Sequence, residues 1–115
     1  MNKTPNPYGK YGCPEHRKKI AEIAAFYIKK GFRVIFEVPI RLLNGKKRYI
    51  DLGVEDENGD IAQYHQVGKG NKNGTPVARE KRVLDEIEIS TGKRPIFHIY
   101  LFLLFFLLLL SVKIA

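Results

Sequence analysis

The sequence predicts one small α/β (α+β) domain in which helices flank a mixed, mostly antiparallel sheet. Segments with apolar residues at helical spacing and segments with alternating apolar residues follow one another in the order α-β-β-β-α-β. Asn-Gly pairs separate the alternating segments and predict hairpin turns. A length of 115 residues is enough for one compact domain and not for two.

The predicted domain lies between two segments of different composition. Residues 1–14 are rich in proline, glycine and asparagine and are predicted to be a flexible N-terminal arm. Residues 15–100 form the predicted domain, and residues 101–115 form a hydrophobic tail. The arm lacks the apolar run of a signal peptide, and the single Cys13 excludes an internal disulfide. Both observations favour a cytoplasmic location.

The first predicted helix begins near Pro14 and ends at Gly31, which is suited to the position after a helix. Its apolar stripe recurs at i, i+3, i+4, i+7 and i+8, and consists of Ile20, Ile23, Ala24, Tyr27 and Ile28. The first predicted strand follows over residues 32–43. Pro39 within it indicates an edge position or a bulge, since proline cannot donate a ladder hydrogen bond.

Further strands follow at residues 47–54, 61–67 and 95–100. Asn44-Gly45 and Asn58-Gly59 are the predicted turns before the second and third strands. The second helix is predicted to open with Thr75 as its N-cap and Pro76 at its first position, and to end at Gly92. This order completes the predicted core.

The tail is unusual because every residue from Leu101 to Leu110 is leucine or phenylalanine. Residues 96–112 approach the lower limit of a membrane span, for which about 20 residues are typical. A soluble protein does not leave such a segment exposed, so we expect burial in the core, in a partner or in lipid. A disrupted reading frame that replaces a soluble C-terminus is a further alternative. Homodimer formation and membrane contact through the tail both remain open.

The charge of the chain favours a polyanionic partner. The formal net charge is +8, which suits nucleic acid or an anionic membrane surface. Basic residues in the loop before the second helix and on that helix form a predicted track for the DNA phosphate backbone: Lys69, Lys72, Arg79, Lys81 and Arg82. The alternative is a solvated helix face whose basic residues pair with acidic neighbours.

An isolated acid on the second strand is the main candidate for chemistry. Asp51 lies between Ile50 and Leu52, an apolar setting in which an uncompensated carboxylate would be costly. A metal ion or a cation such as Lys69 would compensate its charge. Because Mg²⁺ takes oxygen ligands from one or two carboxylates, Asp51 is a plausible ligand for it.

The element order, with Asp51 on the second strand and Gln66 and Lys69 at the end of the third, resembles the PD-(D/E)XK nuclease superfamily. The resemblance covers most of the chain and implies a restriction-endonuclease-like core that hydrolyses DNA phosphodiester bonds with Mg²⁺ or Mn²⁺. It implies Asp51 and Gln66 as metal ligands, with Glu22 as the acid of the first helix. Glu37 on the first strand is another candidate metal ligand. Lys69 would then assist the attacking water or the scissile phosphate.

Two departures from that pattern keep other functions open. Gln66 stands where the superfamily has an acid, and amide oxygen is a weaker Mg²⁺ ligand than carboxylate. The spacing Gln66-Val67-Gly68-Lys69 places the two polar side chains on opposite faces of a regular strand, unless Gly68 forms a bulge. The alternatives to an active or degenerate endonuclease are a non-catalytic nucleic-acid-binding module of the same fold and a small membrane-associated basic protein.

The histidines give weaker signals. Cys13 and His16 have CxxH spacing, which is only half of a zinc site. His65 on the third strand is interpreted as a strand residue rather than a general base.

Overall fold

The computed structural model describes residues 13–71 and 73–100. Its elements are α1 (Pro14–Lys29), β1 (Val34–Arg41), β2 (Lys47–Glu55), β3 (Ile61–Gly68), α2 (Ala78–Thr91) and β4 (Ile96–Ile99). The predicted α+β class and the predicted order of elements are therefore confirmed. The hydrophobic tail and most of the N-terminal arm lie outside the described residues. Within the described ranges, no helix combines the length and apolar character needed to cross a membrane.

The four strands form one mixed sheet in the order β1-β2-β3-β4. β2 pairs antiparallel with β1 and with β3, whereas β3 and β4 run parallel. The parallel pair requires a crossover, which α2 provides. Pro39 lies on β1, at an edge of the sheet, as predicted from its missing donor.

Both predicted hairpin turns are present, but they are longer than two-residue turns. The amide of Gly45 donates to the Leu42 carbonyl at 2.9 Å, and the amide of Gly59 donates to the Asp56 carbonyl at 3.1 Å. Both glycines have positive φ, 88° and 84°, and among the described non-glycine residues only Glu37 shares this sign. The geometry matches three-residue loops in which a left-handed glycine closes the turn.

The start of α2 differs from the prediction, which placed the cap at Thr75 and Pro76. The helix begins at Ala78. The Thr75 hydroxyl donates to the side-chain oxygen of Asn73 at 2.7 Å, so it serves a preceding turn and not the helix. The predicted end is confirmed, because Gly92 follows the last helical residue with φ of 81°.

Each helix is fixed to the sheet by its own hydrophobic cluster. The cluster around α1 contains Ile23, Ala24, Leu52 and Val67, and the cluster around α2 contains Val38, Ile50 and Ile87. Ile50 and Leu52 are both buried on β2, but Leu52 belongs to the cluster of α1 and Ile50 to the cluster of α2. Asp51 lies between these two residues in the strand.

Candidate functional site

β2 and β3 separate at Asp51. Their backbone pairing runs from Glu55–Ile61 to Leu52–His65. At the next position the Asp51 amide donates to Gln66 Oε1, and Asp51 Oδ2 accepts from the Val67 amide, both at 2.8 Å. Side chains thus satisfy backbone groups that the ladder no longer pairs. We call this point, formed by Asp51, Gln66 and Val67, the fork.

The first turn of α1 places His16 against the fork. Its Nε2 atom lies 3.4 Å from Asp51 Oδ2 and 3.0 Å from the Val67 carbonyl oxygen. The hydrogen bond to Asp51 raises the pKa of His16, with a further contribution from the Asp51 charge, against the effect of burial. When it is protonated, His16 compensates the Asp51 carboxylate, the role for which the sequence suggested Lys69 or a metal ion.

A cavity of about 390 Å³ opens beside the fork, between β2, β3 and α2. Its lining combines the fork residues and His16 with three arginines and two further acids: Arg48, Arg79, Arg82, Glu80 and Glu86. We call it the fork cavity. Arg48 is already paired, because its Nη2 lies 2.8 Å from Glu86 Oε1. Among the described residues Arg79 and Arg82 form no ion pair, so their guanidinium groups remain available to an anion.

Glu80 is the second carboxylate at this cavity. Its carboxyl group lies against Gly68, where a Cβ atom would approach Glu80 Cδ to 2.6 Å. Burial raises the pKa of Glu80, and the negative charge of Asp51 raises it further, while the positive charge of Arg79 lowers it. The two carboxylates therefore repel each other across a site that a cation would stabilise.

A second cavity of about 320 Å³ lies on the other side of Asp51, between α1 and β1. His16 and Asp51 line both cavities, and the remaining lining residues are Arg17, Ile20, Ala21, Phe36 and Glu37. We call it the α1–β1 cavity. The Asp51 carboxylate and the His16 imidazole thus lie between two different cavities. The fork cavity is polar and lined by arginines, whereas the walls of the α1–β1 cavity are largely apolar.

Glu37 interrupts β1 opposite Asp51. It falls between the paired positions Phe36–Leu52 and Val38–Ile50, and its φ of 53° is in the left-handed region. The simple alternation that the sequence predicted is lost here: Phe36 is 53% exposed, whereas Val38 is 8% exposed. A left-handed glutamate costs roughly 1–2 kcal/mol, and such residues concentrate at functional sites.

We expect Glu37→Gly to increase the free energy of unfolding by about 0.5–1 kcal/mol, because relief of the left-handed strain exceeds the entropy cost of glycine. Glu37→Ala is the matched control, since it removes the same carboxylate but keeps the Cβ atom. Urea unfolding of both variants measures the difference. Equal stability of the two variants would contradict the assignment of strain to the backbone of Glu37.

The structure brings two of the predicted ligand residues, Gln66 and Glu37, close to a third, Asp51. Asp51 and Gln66 form the fork, and Glu37 shares the α1–β1 cavity with Asp51. Glu22 lines neither cavity; it is exposed on α1, with its Oε2 atom 3.9 Å from Lys19 Nζ. Lys69 is exposed just beyond β3 and also lines neither cavity.

The predicted basic track divides in the same way. Arg79 and Arg82 line the fork cavity. Lys81 projects elsewhere, with its Nζ atom 3.2 Å from Asp85 Oδ2. Lys72 lies outside the described residues. One part of the track therefore converges on Asp51, and another is the solvated helix face that the sequence offered as the alternative.

His16 and Glu80 are the site residues that sequence reasoning missed. The sequence indicates His16 only as half of a zinc site with Cys13. It indicates Glu80 only as one of the acidic neighbours that pair with basic residues on the second helix. A usable signal was present for both, since each stands in the first turn of a helix flanking the Asp51 strand. Both side chains line the fork cavity.

The donor set of the fork cavity fits a hard cation. Asp51 and Glu80 offer carboxylate oxygens, the ligands that Mg²⁺ prefers, and Gln66 offers an amide oxygen that also accepts from the Asp51 amide. Within residues 13–71 and 73–100, no three His, Cys, Asp or Glu side chains are close enough to form a protein-only metal site. Mg²⁺ is commonly bound by one or two carboxylates together with substrate phosphates. These residues therefore suit a cation bound jointly with a phosphate.

A second polar cluster is buried away from both cavities. His65 is 1% exposed, and its Nδ1 atom lies 2.8 Å from His98 Nε2. Its Nε2 atom lies 3.1 Å from Gln63 Oε1, and the Tyr27 ring packs at 5.1 Å between centroids. Burial lowers the pKa of His65 to about 4, with a contribution from His98. Neutral His65 thus has a structural role and is not placed to act as a general base.

No family model, curated protein or solved structure shows a significant match to the chain. The geometry of the fork and of its two cavities is therefore the basis for a functional assignment.

Proposed function

We propose that this chain is a nuclease-like domain that binds DNA and hydrolyses its phosphodiester bonds at the fork with Mg²⁺ or Mn²⁺. The observation that carries the proposal is that Asp51 and Glu80 line the same cavity as Arg79 and Arg82. Carboxylates that can hold a divalent ion thus stand beside guanidinium groups that can hold a phosphate. The net charge of +8 favours approach to DNA.

The arginines of α2 bind and orient the phosphate. A guanidinium group donates two parallel hydrogen bonds to phosphate oxygens, so Arg79 and Arg82 fix both its position and its rotation. Asp51 and Glu80, with Gln66, would hold the metal ion. Such an ion would neutralise charge on the phosphate and lower the pKa of a water molecule bound to it.

His16 and Gln66 position the Asp51 carboxylate. Gln66 Oε1 accepts from the Asp51 amide, and His16 Nε2 contacts Asp51 Oδ2, so the backbone and the side chain of Asp51 are both fixed. Oδ2 accepts from the Val67 amide, which holds the carboxylate in place at the fork. A fixed ligand loses little conformational entropy when it binds.

A second candidate function is DNA binding without catalysis. It is favoured because Asp51 Oδ2 and Gln66 Oε1 both accept hydrogen bonds from backbone amides. In this case the two side chains only close the fork, and DNA binds through Arg79 and Arg82. Binding then requires no divalent ion.

The test compares Asp51→Asn with Asp85→Asn in Mg²⁺-dependent cleavage of plasmid and branched DNA. Asparagine retains an oxygen for the Val67 amide but removes the charge that holds the metal. We expect Asp51→Asn to lower cleavage by roughly 100-fold or more, because loss of even an indirect partner of a metal ligand costs about 10- to 100-fold. Asp85→Asn, on the outer face of α2, should cleave as the wild type does.

DNA binding in EDTA separates the two candidates. If the wild type binds DNA but does not cleave it in Mg²⁺ or Mn²⁺, catalysis is refuted and the binding function is supported. The double variant Arg79→Gln/Arg82→Gln should weaken binding and lower the slope of log affinity against log salt by about one per lost phosphate contact. Absence of DNA binding by the wild type refutes both candidates.

A further inference from the structure

The α1–β1 cavity has walls suited to a flat, apolar ligand. Ile20 and Ala21 of α1 face Phe36 of β1 across a space of about 320 Å³. This volume is at the lower end of the range for small-ligand pockets, about 300–1,000 Å³. Phe36 is 53% exposed although it lies on a strand, so its ring is open to stacking.

The cavity adjoins the site that we assign to phosphate. His16 and Asp51 line both cavities, so a ligand with one part in each would contact both side chains. The fork cavity carries Arg79 and Arg82, whereas the α1–β1 cavity carries the Phe36 ring. A nucleotide has the same division, with an anionic phosphate at one end and a flat aromatic base at the other.

We propose that the α1–β1 cavity binds one unpaired nucleobase of DNA, stacked on Phe36, while the adjoining phosphate lies in the fork cavity. The inference rests on the proposed function, since it takes the fork cavity as the phosphate site. A base inside a duplex has both faces covered by its neighbours and cannot enter such a cavity. The substrate class is therefore DNA with an unpaired or extrahelical nucleotide.

Glu37 makes the cavity selective among bases. A carboxylate only accepts hydrogen bonds, and the exocyclic amino groups of cytosine and adenine are donors. Thymine presents carbonyl oxygens and a methyl group at the equivalent edge. Bound cytosine or adenine is thus favoured over thymine by Glu37, which lines the cavity.

The test measures binding of fluorescent duplexes to the full chain in EDTA, so that cleavage does not interfere. One duplex carries a single extrahelical cytosine, a second carries an abasic residue at that position, and a third is fully paired. We expect the cytosine duplex to bind about 5- to 150-fold more tightly than the abasic duplex, which is the range of base–aromatic stacking. An extrahelical thymine should bind more weakly than cytosine in the wild type, and equally in Glu37→Gln.

Phe36→Ala should abolish the preference for the base and leave affinity for the paired duplex unchanged. Phe36→Leu keeps apolar bulk at this position and should lose the stacking preference while retaining the fold. Tyr49→Ala is the matched control, because this ring on β2 is 55% exposed and lines neither cavity. It should retain the full preference.

The inference is overturned if the wild type binds the abasic duplex as tightly as the cytosine duplex, or if Phe36→Ala and Phe36→Leu both retain the preference. Binding of all three duplexes with equal affinity refutes the base site and leaves the phosphate site intact. Failure to bind any of the duplexes refutes the proposed function and the base site together.

Discussion

Acidification from pH 6.5 to 4.5 is expected to lower the free energy of unfolding of the wild type by roughly 2 kcal/mol more than that of His65→Gln. The side chain of His65 is buried, and its pKa is lowered from 6.5 to about 4. Because the folded-state pKa is below the unfolded value, the unfolded chain takes up a proton first. The contribution of neutral His65 to the free energy of unfolding is thus complete above pH 6.5 and is lost as the pH falls towards 4.

Urea unfolding at pH 6.5, 5.5 and 4.5 measures this difference between the two proteins. His16→Gln is the matched control, because the pKa of His16 is raised and its contribution is lost only as the pH rises above 6.5. That variant should retain the acid-dependent loss of the wild type. Parallel pH profiles for the wild type and His65→Gln would show that burial of His65 does not couple folding to protons.

The second large effect is expected at Ile87. Its side chain is completely buried, and it is the α2 residue at the centre of the cluster with Val38 and Ile50. Truncation of such a residue removes its burial and leaves a cavity, so Ile87→Ala should cost about 2–5 kcal/mol. The α2 N-cap residue makes no side-chain capping hydrogen bond, so capping does not offset the loss of this packing.

Loss of this packing should also affect DNA binding, because α2 carries Arg79, Glu80 and Arg82 into the fork cavity. Ile89→Ala is the control on the same helix, since Ile89 is 69% exposed and should change stability by less than about 0.5 kcal/mol. Thermal unfolding and DNA binding are measured for both variants. If Ile87→Ala and Ile89→Ala have equal stability, the α2 cluster does not anchor the helix.

The sequence was sufficient for the order of elements because their signals are local. Apolar periodicity identified both helices, and left-handed glycines mark the hairpins where Asn44-Gly45 and Asn58-Gly59 predicted them. The predicted start of α2 was wrong because the Thr75 side chain had two possible local partners, the helix and the preceding turn. Its hydroxyl donates to Asn73 in the turn. Propensity alone does not distinguish such competing hydrogen bonds.

The site was less accessible because its residues converge only through the tertiary fold. Asp51 was predicted from its apolar setting and Gln66 from the resemblance to the nuclease superfamily, and the structure joins them. Glu22 is an acid on α1, but the residue of α1 that reaches Asp51 is His16, which is about 1.7 turns earlier. Which turn of a helix reaches a strand depends on the docking of that helix, and this information is absent from its own periodicity.

The bond between the Val67 amide and Asp51 has a consequence for observing the site. This backbone proton is held by a side-chain carboxylate and not by a neighbouring strand. A ligand that draws the carboxylate towards itself weakens that bond and exposes the proton to exchange with solvent. The exchange rate of the Val67 amide proton, measured by NMR, therefore reports whether a ligand is bound at the fork. No label in the cavity is needed.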